Sequence, residues 1–382
     1  MQFPKIGILG GGQLGKMLVL DGARLDLPLY ILDQEITFPA GRVNRLFMEG
    51  DFTDYGDVIS FGREMDIITI EIEKVNNDAL FELQSMGKII HPNPHALEII
   101  RDKGKQKQFF VDHGLPTSPF TLIDNLQDWE SYIDQGKGKY PVVQKLRSGG
   151  YDGRGVSILR SSQDVQSKWL SGPSVMEDLV DIQKEIAVIA ARNAQGQIRT
   201  YEPVEMVFDP DANLVDMLFC PADISERHKQ QASTIAEDLI HALDISGLLA
   251  VEFFIDTSGN LSINEVAPRP HNSGHHTIES CATSQFQQHL RGILNWPLGD
   301  VTNLHPAAMV NLLGEPGYQG PVFYQGIEKV LAIPQAYIHL YGKEETKPSR
   351  KMGHITVLGS NADEAVRKAK TIQDLIKVIS IT

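Results

Sequence analysis

Two glutamates interrupt two apolar runs that lie close enough in sequence to form a hairpin. Leu248-Leu249-Ala250-Val251-Glu252-Phe253-Phe254-Ile255 is followed, after a short polar stretch, by Leu261-Ser262-Ile263-Asn264-Glu265-Val266. Apolar runs of this length, bounded by turn residues, read as two buried antiparallel strands. With a four-residue loop, 257–260, Asp256 faces Leu261 and Glu252 faces Glu265. Like charges directly opposed in a sheet repel. Two solvated glutamates on a sheet edge do not suit these apolar neighbours, so the pair asks for a cation. Mg2+ takes one or two carboxylates together with substrate phosphates, and Asn264 adds a neutral oxygen.

A second feature supplies the phosphate side. Lys145-Leu146-Arg147-Ser148-Gly149-Gly150-Tyr151-Asp152-Gly153-Arg154-Gly155 lies between two strand-like runs, Val142-Val143-Gln144-Lys145 and Val156-Ser157-Ile158-Leu159. Four glycines in the seven residues 149–155, flanked by Lys and Arg, can lay backbone amides over phosphates. A plain glycine-rich hairpin turn is the other reading. It is not a P-loop, because no Gly-Lys-Ser/Thr opens a helix. The stretch Ala267-Pro268-Arg269-Pro270-His271-Asn272-Ser273-Gly274-His275-His276 follows the carboxylates and is too rich in Pro and Gly for a helix. Its three histidines lack the Cys or HExxH context of zinc. Arg and His beside a metal–phosphate site more naturally hold an anionic substrate.

At the N-terminus, Gly10-x-Gly12-x-x-Gly15 follows a strand at 6–9, opens a helix at 16–24 and precedes a strand at 29–32 that ends at Asp33. That is the context of a dinucleotide fingerprint. An NAD-dependent dehydrogenase built on it leaves Glu252 and Glu265 unexplained, and the same glycines serve strand–helix packing. Further strands at 66–70 and 87–90 complete a doubly wound α/β unit. A helix is expected over 96–114, stopped by His113-Gly114 and followed by Pro116 and Pro119. Beyond it come strands at 174–177, 185–191 and 199–207, helices at 228–244 and 285–294, and three short strands with a helix at 363–376. The fold class is α/β and α+β. A chain of 382 residues suits two or three such domains. The net charge of −14 argues against broad nucleic-acid binding. Two cysteines give neither a disulfide framework nor a thiolate metal site. No run approaches a membrane span, and no leader is read at the N-terminus, so a cytoplasmic protein is expected.

With Glu177-Asp178-Leu179-Val180 as a hinge strand between glycine loop and carboxylates, the chain resembles the ATP-grasp superfamily. Within it, Gln13-Leu14, Glu71-Ile72-Glu73, Gly149–Gly155, Asn264–His275 and Arg350-Lys351-Met352-Gly353-His354 resemble the N5-carboxyaminoimidazole ribonucleotide synthetase family, ATP-dependent carboxylases of purine biosynthesis. The resemblance implies a Rossmann-like pre-ATP-grasp domain over 1–100, an ATP-grasp domain over 101–300 with a mobile lobe around 115–180, and a C-terminal domain over 301–382. ATP would be held by Lys103, Lys145, Gly150, Tyr151, Asp152, Gly153, Arg154, Gly155 and Val156, by Glu177, Asp178, Leu179 and Val180 along the adenine, and by Glu185 at the ribose. Asn264 and Glu265 would complete the nucleotide site, with Glu252 and Glu265 holding Mg2+, or Mn2+ in its place. Aminoimidazole ribonucleotide would meet Gln13, Leu14, Glu73, Tyr151, Asp152, Arg154, Arg269, His271 and Asn272, with Lys343 and Arg350 on its phosphate. Asp152, Arg269 and Lys343 would be catalytic, with Asp152 orienting the amine or accepting its proton.

The implied reaction is ATP- and bicarbonate-dependent carboxylation of the ribonucleotide through carboxyphosphate, in a homodimer that binds neither nucleic acid nor membrane. Lys103 stands where the family usually has Arg, which keeps the charge and loses the bidentate fork. Phe208 stands where some members have His. A formate-dependent glycinamide ribonucleotide transformylase is the alternative within the superfamily. A non-catalytic nucleotide-sensing module is the alternative outside enzymes.

Overall fold

The computed structural model describes residues 3–149, 155–209 and 214–381. The N-terminal sheet is parallel and five-stranded. Its spatial order is Phe47–Glu49, Leu29–Asp33, Ile6–Leu9, Ile67–Ile70, Ile89–His91. All four residues of the central Ile6–Leu9 strand are buried. An unbroken apolar run is what a strand covered on both faces requires.

The helix expected over 96–114 is two helices, Pro94–Ile100 and Lys103–Asp112. Asp102 makes the break: its carboxylate accepts from Gly104 N and Lys105 N and caps the second helix. Arg147 grips the same carboxylate bidentately, Nε to Oδ1 at 2.9 Å and Nη2 to Oδ2 at 2.7 Å. The cap therefore ties the start of this helix, and Lys103 with it, to the stem of the glycine loop.

Two sheets then face each other. The smaller is antiparallel, in the order Phe120–Ile123, Ser174–Asp178, Val142–Leu146, Val156–Leu159. The larger has nine strands. Its near edge is the hairpin Gly247–Asp256 and Leu261–Ala267, with Ile182–Arg192 beside it. One face of these strands presents Ile186, Val188, Val251, Phe253 and Ile263 to the helix Glu226–Ala242. Alternation then puts Glu185 and Glu252 on the opposite face, toward the small sheet, and Glu265 joins them through its pairing with Glu252. Ile263 N donates to Pro116 O at 2.8 Å, which joins the small lobe's lead-in to this edge.

The expected strand over 199–207 is interrupted at Pro203 into Ile198–Thr200 and Val204–Asp209. The C-terminal segment holds six strands rather than three: Ala307–Leu313, Gly320–Gln325, Ala336–Leu340, Glu345–Thr346, Lys351–Leu358 and Lys377–Ser380. Ala307–Leu313 pairs with Leu214–Cys220, so the large sheet runs on into the C-terminal segment. Among the described residues, no helix is long and apolar enough to cross a membrane.

Candidate active site

Glu252 and Glu265 are direct partners across the hairpin. The loop is one residue shorter than expected: Asp256 N bonds Asn260 O, and Gly259 takes φ +79°. Only a three-residue turn ending in a left-handed position fits this geometry. A bulge at Asn264 adds the residue back, since Phe253 faces Ile263 while Glu252 faces Glu265. Glu185 lies on the same face, because Ala187 pairs with Glu252 and Glu185 with Phe254. Burial pushes the Glu185 carboxyl up to about 7. Burial, then Glu265 and Glu185, raise Glu252. Glu265 is lowered, chiefly by Lys103, with which it pairs.

Among the described residues, no three His, Cys, Asp or Glu side chains converge into a metal cage. Two carboxylates are nevertheless what Mg2+ takes beside substrate phosphates, and burial first, then the like charges of Glu265 and Glu185, raise Glu252, which a cation would offset. The donor set fits a divalent cation. Asn264 Oδ1 is engaged otherwise: it accepts from Lys145 Nζ at 2.8 Å.

Two lysines converge on one buried carboxylate. Lys145 Nζ and Lys107 Nζ each lie 3.2 Å from Glu177 Oε2. Lys145 reaches it diagonally, since Val175 is its partner and Glu177 the next residue on that face. Glu177 stays below the usual carboxylate range despite burial, because Lys145 and Lys107 offset the desolvation. Burial pulls Lys107 down to about 8. Glu177 Oε1 is buried with no hydrogen-bond partner, an acceptor left for a ligand N–H. Asp178, Leu179 and Val180 run on from it half-buried, with Asp178 paired to Lys139 at 2.9 Å.

The loop after the hairpin brings the expected anion-binding residues to this cleft. Arg269 Nε lies 2.9 Å from Glu73 Oε1, an ion pair in which the N–H is not aimed along the contact. His271 Nε2 lies 3.5 Å from Glu252 Oε1. Asn272 exchanges two amide hydrogen bonds with Asn311. Gln13 begins the helix Gln13–Ala23, while the Leu14 side chain is buried in the N-terminal core, which leaves only its backbone to meet a ligand.

The N-terminal glycine loop is already filled. Glu71 Oε1 accepts from Gly12 N at 2.7 Å and Oε2 from Gly15 N at 2.6 Å. Asp33, the residue a dinucleotide reading assigns to ribose, turns back to Gly11 N at 2.6 Å. A Cβ at position 12 would come within 2.4 Å of Glu71 Oε1. These glycines make room for an internal carboxylate where a pyrophosphate would otherwise sit.

Lys343 Nζ donates to Lys351 O at 2.7 Å, and Arg350 Nη1 to Glu345 O at 2.7 Å. Two N-terminal cations meet this segment: Lys16 Nζ donates to Leu340 O at 2.9 Å and Arg42 Nη1 to Gly342 O at 2.9 Å. Gly150, Tyr151, Asp152, Gly153 and Arg154 lie outside the described residues. Gly155 and Val156 are described at the far stem, where Leu146 N bonds Gly155 O at 2.9 Å. Sequence reasoning missed Lys16, Arg42, Lys107 and Asn311, and quoted Glu71 within a motif without giving it a role. Lys107 had a signal, its i,i+4 spacing from Lys103 on one helix.

Three family models match in order. The ribonucleotide synthetase preATP-grasp domain covers residues 3–101, the ATP-grasp domain 108–286, and the phosphoribosylaminoimidazole carboxylase C-terminal domain 307–368. Fold and site together define an ATP-grasp protein. The N5-carboxyaminoimidazole ribonucleotide synthase of Brucella melitensis is 36% identical over 92% of this chain and 95% of its own length. The crystal structure of the synthetase from Thermotoga maritima superposes with a TM-score of 0.91 at 40% identity, covering 99% of this chain and 100% of that one. A structure from Aspergillus clavatus, in complex with ADP and 5-aminoimidazole ribonucleotide, gives 0.88 at 31% identity, covering 98% of each chain. The chain belongs to the N5-carboxyaminoimidazole ribonucleotide synthase family. It spans 66% and 64% of the longer phosphoribosylaminoimidazole carboxylases of Candida glabrata and Vigna aconitifolia.

Proposed function

We propose that this chain uses ATP and bicarbonate to carboxylate 5-aminoimidazole ribonucleotide on its amine, releasing ADP and phosphate. The observation that carries the reading is the opposed Glu252–Glu265 pair, flanked by Lys103 and Lys145 and bordered by the Arg269–Asn272 loop. A divalent cation, Mg2+ or Mn2+, held by Glu252 and Glu265 would neutralise charge on the transferred phosphoryl group. Lys145 sits where it can face the nucleotide phosphates, and Glu177 Oε1 suits the adenine amino group. Lys103 pairs with Glu265 in the free chain, so nucleotide contact requires it to exchange that carboxylate for phosphate. Arg269, held near Glu73, is placed to counter the charge of carboxyphosphate. Asp152 is assigned to the amine on the family resemblance. Exclusion of water from the site would protect the reactive intermediate. The cytoplasmic homodimer is part of this reading and rests on the same resemblance.

ADP release on adding 5-aminoimidazole ribonucleotide should require bicarbonate. Turnover with glycinamide ribonucleotide and formate instead would transfer the chain to the transformylase reading.

Lys343 and Arg350 are assigned to the ribonucleotide phosphate. An acidic chain needs such local cations, because its net charge of −14 opposes anion capture. A phosphate clamp binds ground and transition states about equally, so its loss raises KM more than it lowers kcat. Arg350→Ala should raise KM for the ribonucleotide about tenfold, as expected for a charged hydrogen bond of ~1.5–3 kcal/mol. Steady-state kinetics in which KM for ATP rises instead would move this segment to the nucleotide side of the cleft.

A further inference from the structure

Asn311 lies inside the Ala307–Leu313 strand, 4% exposed and directly opposite His354 on the neighbouring strand. Its amide makes three hydrogen bonds. Nδ2 donates to Val215 O at 2.7 Å and to Asn272 Oδ1 at 3.0 Å, while Oδ1 accepts from Asn272 Nδ2 at 2.9 Å. The bond to a backbone carbonyl decides which end of Asn311 is nitrogen, since a carbonyl can only accept. That orientation then decides Asn272, whose oxygen must face Asn311 Nδ2. A primary amide has two N–H groups and two oxygen lone pairs. Asn311 consumes one of each, which leaves Asn272 with one donor and one acceptor in fixed directions.

The backbone of the same loop is held by a different residue. Gln285 is fully buried at the start of the Gln285–Ile293 helix. Its Oε1 accepts from His271 N at 2.9 Å, and its Nε2 donates to His271 O at 2.8 Å. A Cβ at Gly274 would come within 2.2 Å of Ile189 Cδ1 and 2.5 Å of Gln285 Oε1, so the loop backbone packs directly on both side chains. With the backbone pinned by Gln285, what Asn311 adds is the orientation of one side-chain amide.

We infer that Asn311 is a positioning residue that sets which atoms Asn272 presents to the ribonucleotide. This rests on the proposed function, in which Asn272 faces that substrate. A double-mutant cycle on KM for 5-aminoimidazole ribonucleotide tests it, using Asn272→Ala, Asn311→Leu and the pair, with KM for ATP measured alongside. Each single change should raise the ribonucleotide KM about fivefold to tenfold, the effect of one lost buried hydrogen-bonded contact. The pair should be no worse than the worse single change, because Asn311 acts through Asn272. KM for ATP should stay within about twofold. Asn311→Asp has the same shape, loses both donated bonds when ionised and keeps the one accepted from Asn272 Nδ2; it should raise the ribonucleotide KM, by less than Asn311→Leu, and it carries the cycle if the leucine variant does not fold. Multiplied effects in the pair, a wild-type ribonucleotide KM in either Asn311 variant, or a parallel rise in KM for ATP would overturn the inference. Calorimetry on the wild-type chain separates the two failures. No binding of the ribonucleotide removes the functional reading and the inference with it, whereas binding together with an additive cycle removes the inference alone.

Discussion

Glu265→Gln should lower ATP turnover by about 10²-fold or more, the scale on which a metal-held charge stabilises phosphoryl transfer. The change removes one charge at nearly constant shape. Glu265 is the one carboxylate of the pair kept ionised, by Lys103 beside it. Glu252 opposite is raised by burial and by Glu265 itself. Replacing Glu265 removes the ionised partner; Glu252 is relieved of that like charge but stays raised by burial and by Glu185. A single buried carboxylate beside Lys103 holds a divalent cation far less well than a pair. The substituted amide can still accept from Lys103, so the hairpin should keep its register. The measurement is kcat at saturating Mg2+ and ATP, with a thermal melt to show that the fold persists. Near-normal turnover with unchanged Mg2+ dependence would remove the metal assignment from this hairpin.

The register of that hairpin was legible because two features of the turn cancel. Apolar runs on both sides of a polar stretch placed the strands, and the paired glutamates stood out against them. The loop is one residue shorter than a count of polar residues indicates, because Asp256 and Gly259 close a tighter turn. The bulge at Asn264 restores the pairing. Neither is visible in residue types alone, since a bulge is decided by how the sheet twists against its neighbours. The break at Asp102 was legible in principle. An aspartate two residues ahead of Gly104 is a cap signal, but the surrounding helical pattern masks it.

The N-terminal glycine loop misleads for a different reason. Its glycines, helix and following acid satisfy every local requirement of a dinucleotide site. What occupies the loop is Glu71, about sixty residues away and just past the end of the Ile67–Ile70 strand, and only the tertiary fold brings it there. Asn311 was hidden in the same way, in a strand whose neighbours read as plain core. The C-terminal strands were undercounted in part because Glu345–Thr346 and Lys377–Ser380 are too short for a period to register.

Glu177→Gln should cost about 3–5 kcal/mol of stability, the range for removing one partner from a buried ion pair. The residue is 2% exposed, and so is Lys107. Its Oε2 is 3.2 Å from both Lys107 Nζ and Lys145 Nζ. Without that charge, two ammonium groups remain near each other in a buried setting. Lys107 is already drawn down to about 8 by burial, and losing Glu177 should make it give up its proton in the folded state. Lys145 keeps Asn264 Oδ1 at 2.8 Å and Lys107 keeps Thr117 Oγ1 at 2.8 Å, so the variant should still fold. Adding Lys107→Met should recover part of the loss, because it removes the stranded charge rather than the pair. The pH dependence has a definite sign. Glu177 is lowered in the folded chain from its ordinary 4.5, so its stabilisation is fully present above that value. It is lost as pH falls through the lowered folded value. Glu177's own share of the gap between wild type and Glu177→Gln should therefore be full near neutrality and fade below about pH 4.5. Urea denaturation at several pH values measures it. A gap under about 1 kcal/mol near neutrality, the level of an exposed pair, would mean that solvent rather than Glu177 satisfies these lysines.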